Sequence, residues 1–341
     1  MKKIDYIIVG QGIAGTLLSW LLLKRNKQVL VVDQFNPSSA SQVAAGIYNP
    51  ITGRRFVKTW MADTLFPFAE NAYLQLEKEL KSRFLYSMPI LRTIKGDLEK
   101  KEFGKKSKRP EYFEYFSKDS DPNARDSVII SHGGYVDFPV LLQAYREKLR
   151  AEKQILESHF TFHDLTLGRN ELSWKDYAPD KIIFCEGHLV LSNPFFMDLP
   201  FNSSKGELLT IKTNSLPEDQ LINEGIFILP FGNQLFRVGA TYDWEDRTET
   251  PTESAKKELV LKLVQVIGSN FEIIDHKAGI RPTVKDRLPI IGLHQELDFL
   301  GVFNGLGTKG ASLGPYFANQ FVEFLEDGKR IDAEVDIKRF L

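Results

Sequence analysis

Lys3-Ile4-Asp5-Tyr6-Ile7-Ile8-Val9-Gly10-Gln11-Gly12-Ile13-Ala14-Gly15 is the stretch that decides the fold. Its first half is apolar and rich in β-branched residues, the pattern of a strand buried on both faces. It stops at three glycines, and the leucine-rich helical pattern of Leu17 to Leu23 follows at once. Strand, glycine turn and helix in this order build an anion cradle. Gly10 permits the tight turn, Gly12 lets backbone approach a pyrophosphate, and Gly15 lets the helix pack on the strand. The helix start then offers unpaired N–H groups to phosphates.

A glycine motif needs context. Gln28-Val29-Leu30-Val31-Val32 reads as a second buried parallel strand and ends in Asp33. A carboxylate about twenty residues past the glycines suits the hydroxyls of an adenosine ribose and would repel a 2′-phosphate. The expected ligand is a dinucleotide other than NADP; these residues leave NAD and FAD both open.

The chain has 341 residues, which suggests about two domains. With 43% hydrophobic residues and 12% aromatics it can bury sizeable cores. A net charge of −1 gives no global drive toward nucleic acid or anionic membrane. The single cysteine, Cys185, excludes an internal disulfide and fits a reducing compartment. Leu17 to Leu23 is too short to span a bilayer and the N-terminus reads as a strand, so the expected location is the cytoplasm.

Farther along, Asn36 to Ser41 is a polar, small-residue loop leading into Ala44-Ala45-Gly46. Residues 57–84 read as helix, and 95–127 as charged and turn-rich. A helix is expected from Phe138 to Glu152 with Pro139 in its first turn. Phe160-Thr161-Phe162 and Ile182 to Cys185 read as strands. Residues 206–245 alternate as in an antiparallel sheet. Helices are expected at 252–267 and from about Ser312 to Leu325, with a strand at Leu300 to Phe303 between them. The fold class is therefore α/β: a Rossmann-like dinucleotide domain with an interleaved α+β domain built on an antiparallel sheet. We assign 1–50, 130–205 and 276–341 to the first, and 51–129 and 206–275 to the second.

Several segments together resemble the D-amino-acid oxidase and glycine oxidase family of FAD enzymes. They are Gly10 to Gly15, Ala40-Ser41 through Ala45-Gly46, Gly134-Tyr135-Val136-Asp137, Ala278 to Gly292 with its Gly279-Ile280-Arg281-Pro282 core, and Gly305 to Pro315. The last segment looks closest to the oxidase half of the bifunctional enzyme that modifies a wobble uridine in tRNA. Many relatives carry histidine where this chain has Leu306, a departure from the glycine oxidases.

The resemblance implies FAD as cofactor. Gly10, Gly12, Ile13, Ala14 and Gly15 would hold the pyrophosphate, and Asp33 with Gln34 the adenosine ribose. Ser41 would donate to phosphate, while Ala44, Ala45 and Gly46 let a flat ring lie close to backbone. Phe162 would meet the adenine through backbone, and Cys185, Glu186 and Gly187 would end a strand beside the dinucleotide. Cys185 itself reads as a buried small hydrophobe without an activating partner. Gly279, Gly305, Leu306, Gly307, Thr308, Lys309 and Gly310 would surround the flavin, where backbone N–H groups and the following helix favour negative charge.

Arg281 would bind the substrate carboxylate, since a guanidinium forms a bidentate pair with it, and Pro282 holds residue 281 extended. Tyr242 is a second candidate for the carboxylate and Tyr48 a weaker one. Lys309 adds a cation for the flavin, the substrate or oxygen. The implied activity is oxidation of the C–N bond of an amino acid or N-substituted glycine, by hydride transfer to flavin N5. Oxygen or another acceptor would take the electrons. A modified tRNA uridine side chain as substrate, and a non-catalytic FAD-binding protein, are the alternatives.

The run Lys100, Lys101, Lys105, Lys106, Lys108 and Arg109 reads as solvated surface diluted by Glu111, Glu114, Asp119 and Asp121. Arg54 and Arg55 lie just past the flavin loop and could attract an anion. The six histidines show no metal spacing.

Overall fold

In the computed structural model of the chain, residues 1–117, 127–168 and 172–340 are described. β1 (Lys2–Val9) runs into a turn, and α1 (Ile13–Lys24) leaves it. β2 (Val29–Val32) returns parallel to β1. Ile155–Leu156 extends the sheet beyond β2, while Tyr177–Phe184 and then Leu300–Asn304 extend it beyond β1, all parallel. Ile8 and Val31 belong to a core on one face, and Ile7 and Leu30 are buried on the other, Leu30 with Trp174 and Phe184. Two buried faces are why these strands read as unbroken apolar runs. Gly10 sits at φ +99°, and a Cβ there would lie 2.5 Å from the Cys185 carbonyl oxygen. A Cβ on Gly15 would lie 1.9 Å from the Gly10 carbonyl oxygen, so α1 can cross the turn this closely only with glycine there.

Six further helices complete the framework: α2 (Ala40–Val43), α3 (Ala62–Leu80), α4 (Gly96–Lys106), α5 (Phe138–Ala151), α6 (Glu253–Ile267) and α7 (Gly310–Asp327). α1, α3, α5 and α7 share one core; α3 contributes Leu65, Ala69, Ala72, Tyr73 and Leu76 at helical spacing. The helix expected from residue 57 starts later, because Val57–Lys58 pairs with Ile51–Thr52 as a ribbon. It stops at Leu80, with Lys81 left-handed at φ 52°.

A second sheet of eight strands runs in the order Glu272–Arg281, Ser204–Lys212, Leu235–Gly239, Phe227–Pro230, Leu221–Asn223, Ile90–Thr93, Ser127–Ile130, Phe116–Ser117. Its pairs are antiparallel except Leu221–Asn223 beside Ile90–Thr93. α6 covers one face, where Leu259 and Leu263 meet Leu209, Ile211, Phe236 and Val238. Leu208, Gly239 and Phe227 line up across three strands. The boundaries expected at 205/206 and 275/276 fall inside Ser204–Lys212 and Glu272–Arg281, which run unbroken.

One expected strand is absent. Residues 160–162 form no strand; the pairing with β2 comes earlier, at Ile155–Leu156. The alternation of Phe160 and Phe162 has another cause. Both rings pack on Phe184, at 5.5 and 5.9 Å, as a plug under the parallel sheet. Asp119 and Asp121 lie outside the described residues.

Candidate active site

A cavity of about 580 Å³ opens between the ends of the parallel strands and the second sheet. The glycine turn supplies Gly10, Gln11, Gly12, Ile13 and Ala14 to its wall. Ser41, on α2, accepts a hydrogen bond from the Ile13 amide at 3.1 Å, which leaves the hydroxyl proton free to donate. A Cβ on Gly12 would sit 3.1 Å from Ser41 Oγ, filling the space between turn and hydroxyl. Free first-turn amides, a donor hydroxyl and a missing Cβ suit a pyrophosphate. Ala44, Ala45 and Gly46 continue the wall toward Tyr48.

Asp33 and Gln34 line the cavity, but the Asp33 carboxylate is already engaged. It accepts from the Gln11 amide at 2.9 Å, from the Phe35 amide at 2.8 Å and from Arg146 Nη1 at 2.7 Å. Arg146 also donates to the Gln11 side chain at 2.7 Å and to Glu157 at 3.0 Å, and its side chain is only 3% exposed. Asp33 thus shares the Arg146 cation with Glu157. Sequence reading missed Arg146. The signal was its position: Leu141, Leu142, Tyr145 and Leu149 form the buried stripe of α5, and Arg146 lies on that stripe.

At the other end of the cavity, Arg281 lies flat over Gly206. A Cβ on Gly206 would fall 1.9 Å from Arg281 Nη2, so only glycine leaves room for this side chain. The guanidinium donates to the carbonyls of Lys205 and Thr241, at 3.1 and 3.2 Å, and stacks 4.3 Å from the Tyr242 ring. It has no carboxylate partner among the described residues. Burial lowers its pKa, so the charged form gains most from an arriving anion. Tyr242 lines the cavity and is 60% exposed at its mouth, 6.5 Å from Trp244.

The two carbonyls are held by what lies behind them. Lys205, fully buried, donates to Asp246 at 2.6 Å and faces Glu207 at 3.5 Å. Its backbone pairs with Asp243 in both directions, and Thr241 Oγ1 accepts from the Glu207 amide at 3.0 Å.

Leu306, Gly307, Thr308, Lys309 and Gly310 line the cavity where α7 begins. Lys309 caps that helix; burial, then Arg287, lowers its pKa. Asn304, another residue missed from the sequence, ties two loops together: it donates to the Gly187 carbonyl and accepts from the Gly305 amide, both at 2.8 Å. Cys185, Glu186, Gly187 and Gly279 also line the wall. Burial pushes the Cys185 thiol well up, as befits a packed small hydrophobe. Burial pushes Glu186 up to about 7, against a hydrogen bond from Asn193 at 2.7 Å.

Three of the expected residues stand off the cavity. Gly15 packs α1 on the turn, and Gly305, at φ +79°, makes the bend after Leu300–Asn304. Phe162 packs its half-buried ring against Phe160, Phe184 and Phe195, and Ser158, His159 and Phe160 line the cavity there. Arg54 and Arg55 are exposed on the Thr52–Val57 turn and away from the wall, Arg54 being 3.9 Å from Glu99. The basic run of α4 is largely paired: Lys105 to Glu102, Lys106 to the Tyr112 hydroxyl. Among the described residues no group of three metal-ligating side chains occurs, and no helix is long and apolar enough to cross a membrane.

Known proteins are similar to this chain. An uncharacterized oxidoreductase of Bacillus subtilis is 23% identical over 94% of this chain and 94% of its own length. The tRNA 5-methylaminomethyl-2-thiouridine biosynthesis bifunctional protein of Leptospira borgpetersenii is 22% identical over 89% of this chain, which spans 54% of that protein. The crystal structure of glycine oxidase from Geobacillus kaustophilus has the same fold, with a TM-score of 0.81 at 18% identity over 100% of both chains. The pattern of the FAD dependent oxidoreductase family, DAO, matches residues 5–323. The cofactor whose pyrophosphate the Gly10–Ala14 turn and Ser41 suit is therefore FAD, and the chain belongs to the DAO family of FAD-dependent oxidoreductases.

Proposed function

We propose that this oxidoreductase oxidises the C–N bond of a small amino acid or N-substituted glycine. Arg281 carries the reading: a guanidinium on the cavity wall, fixed by two carbonyls and a tyrosine ring, without an acid of its own among the described residues. Its remaining N–H groups suit a carboxylate. Fixing that end of the substrate turns the carbon bearing the amine in one direction. Arg281 and Lys309 both bring positive charge to the wall and disfavour an ammonium there, so the amine reacts in its neutral form. FAD, when bound, would supply the two-electron oxidation of the C–N bond to an imine, with oxygen or another acceptor as the final oxidant; water would hydrolyse the imine. The relatives named for glycine oxidation and for a tRNA methylaminomethyl group support CH–NH chemistry.

Anaerobic bleaching of the yellow holoenzyme tests the reading. Glycine, sarcosine, D-amino acids, L-proline and aminomethyl-uridine derivatives are offered in turn. We expect a free amino acid or N-alkyl glycine to bleach it. Bleaching by the uridine derivative alone would move the substrate to tRNA, and bleaching by none would point to a non-catalytic protein.

A further inference from the structure

Phe35 is out of place by two measures. It is a large apolar side chain left 44% exposed, and its backbone is left-handed, at φ +59°. A bulky residue meets a steric penalty in that region. Such strain persists only where the surroundings enforce it, and it gathers where a protein meets its ligands. Here the enforcement is visible. The Phe35 amide donates to Asp33 Oδ1 at 2.8 Å, and the same oxygen accepts from Arg146 Nη1 at 2.7 Å. Arg146 Nη2 donates to the Asp33 carbonyl at 2.9 Å. The turn after β2 is built around one buried guanidinium, and it brings Phe35 to the wall of the cavity.

The position along the cavity is specific. Phe35 comes two residues after Asp33, the acid that ends the second strand, and so lies at the adenosine end of a site whose pyrophosphate cradle is Gly10–Ala14 with Ser41. Ser158, His159 and Phe160 line the same end. The Asp33 amide donates to the Leu156 carbonyl at 3.1 Å, so the two segments leave the sheet side by side. Arg146 ties them together, its Nε donating to Glu157 at 3.0 Å. The Phe160 ring is spent on packing, stacked on Trp174 at 4.8 Å and edge-on to Phe184 at 5.5 Å. The Phe35 ring has no other ring packed on it among the described residues. Arg146 lies 5.5 Å from its centroid and helps to hold it. A fixed, exposed aromatic face at a nucleotide site suits a stacked base.

We propose that Phe35 is the platform on which the adenine of FAD stacks, and that Arg146 is the positioning residue that aims it through Asp33. This role is the same whichever amine the enzyme oxidises.

Release of FAD from the diluted holoenzyme, followed as the rise in flavin fluorescence, gives its Kd and tests this without turnover. We expect Phe35→Leu, which keeps an apolar side chain but has no ring face, to raise the Kd about tenfold or more, and Phe35→Tyr to leave it near wild type. Phe35→Gly separates binding from folding. Glycine accepts a positive φ at no steric cost, so this variant should raise the Kd of FAD without lowering the Tm of the FAD-stripped protein. In an Arg146→Lys background, where the fork that shapes the turn is gone, Phe35→Leu should cost less than it does in wild type. A Phe35→Leu protein that holds FAD as tightly as wild type would overturn the proposal, and so would a raised Kd in Phe35→Gly accompanied by a lower Tm of the stripped protein. An undiminished effect of Phe35→Leu beside Arg146→Lys would overturn the role given to Arg146.

Discussion

Glu186 carries a proton that its exposed counterpart would have lost, because burial holds its carboxyl up to about 7. Between the ordinary carboxylate range and about pH 7 the folded chain binds more protons than the unfolded one, so this residue makes stability fall as pH rises through that window. Glu186→Gln should flatten the fall, gaining about 2–3 kcal/mol at alkaline pH and little at acid pH. Urea unfolding at the two pH values checks it, and an equal change at both would refute the assignment. Single residues were unevenly legible in the sequence. Arg281 was readable because Pro282 and the neighbouring glycines mark its segment. Asp33 was readable as the acid after the second strand, but not its tie to Arg146, which joins residues far apart in the chain.

Elements were legible where one physical cause acts alone. β1, α1 and β2 follow from apolar runs and a glycine turn, and α5 from its stripe and Pro139. Phe160 to Phe162 misled because two aromatics at alternate positions mark a strand and a core plug equally well; tertiary packing decided. The alternation read through residue 245 ends as a strand at Gly239, and residues 246–251 had no legible pattern, since their order comes from outside. Lys205, on Ser204–Lys212, reaches across to Asp246, and Glu207 accepts from the Thr252 amide at 2.8 Å. Removing Lys205 leaves the buried Glu207 carboxylate without that cation and should be costly. We expect Lys205→Met to lose about 3–5 kcal/mol of stability. Its flavin should remain bound, with a raised KM for a carboxylate substrate, because Arg281 leans on the Lys205 and Thr241 carbonyls. An unchanged urea midpoint would show that the cluster holds nothing.

Across the whole molecule, the two sheets meet at the cavity that suits FAD. Their interleaving was legible in the sequence as parallel-type strands interrupted by meander-type strands. The crossing of Ser204–Lys212 and Glu272–Arg281 between the two parts was not, because strand pairing over such separations leaves no local mark. A ligand touching both parts ties them together. Saturating FAD at about a hundredfold over its Kd should add about 2.7 kcal/mol to unfolding. Stripping it should lower Tm, and restoring it should reverse the loss; a Tm indifferent to FAD would refute the coupling. We propose that Arg281 holds the substrate carboxylate beside that cofactor. The most direct measurement is the anaerobic bleaching rate of FAD-loaded Arg281→Ala against wild type, with the best carboxylate substrate. We expect a yellow variant whose rate at low substrate falls about 10²-fold or more, while an unchanged rate would contradict the claim.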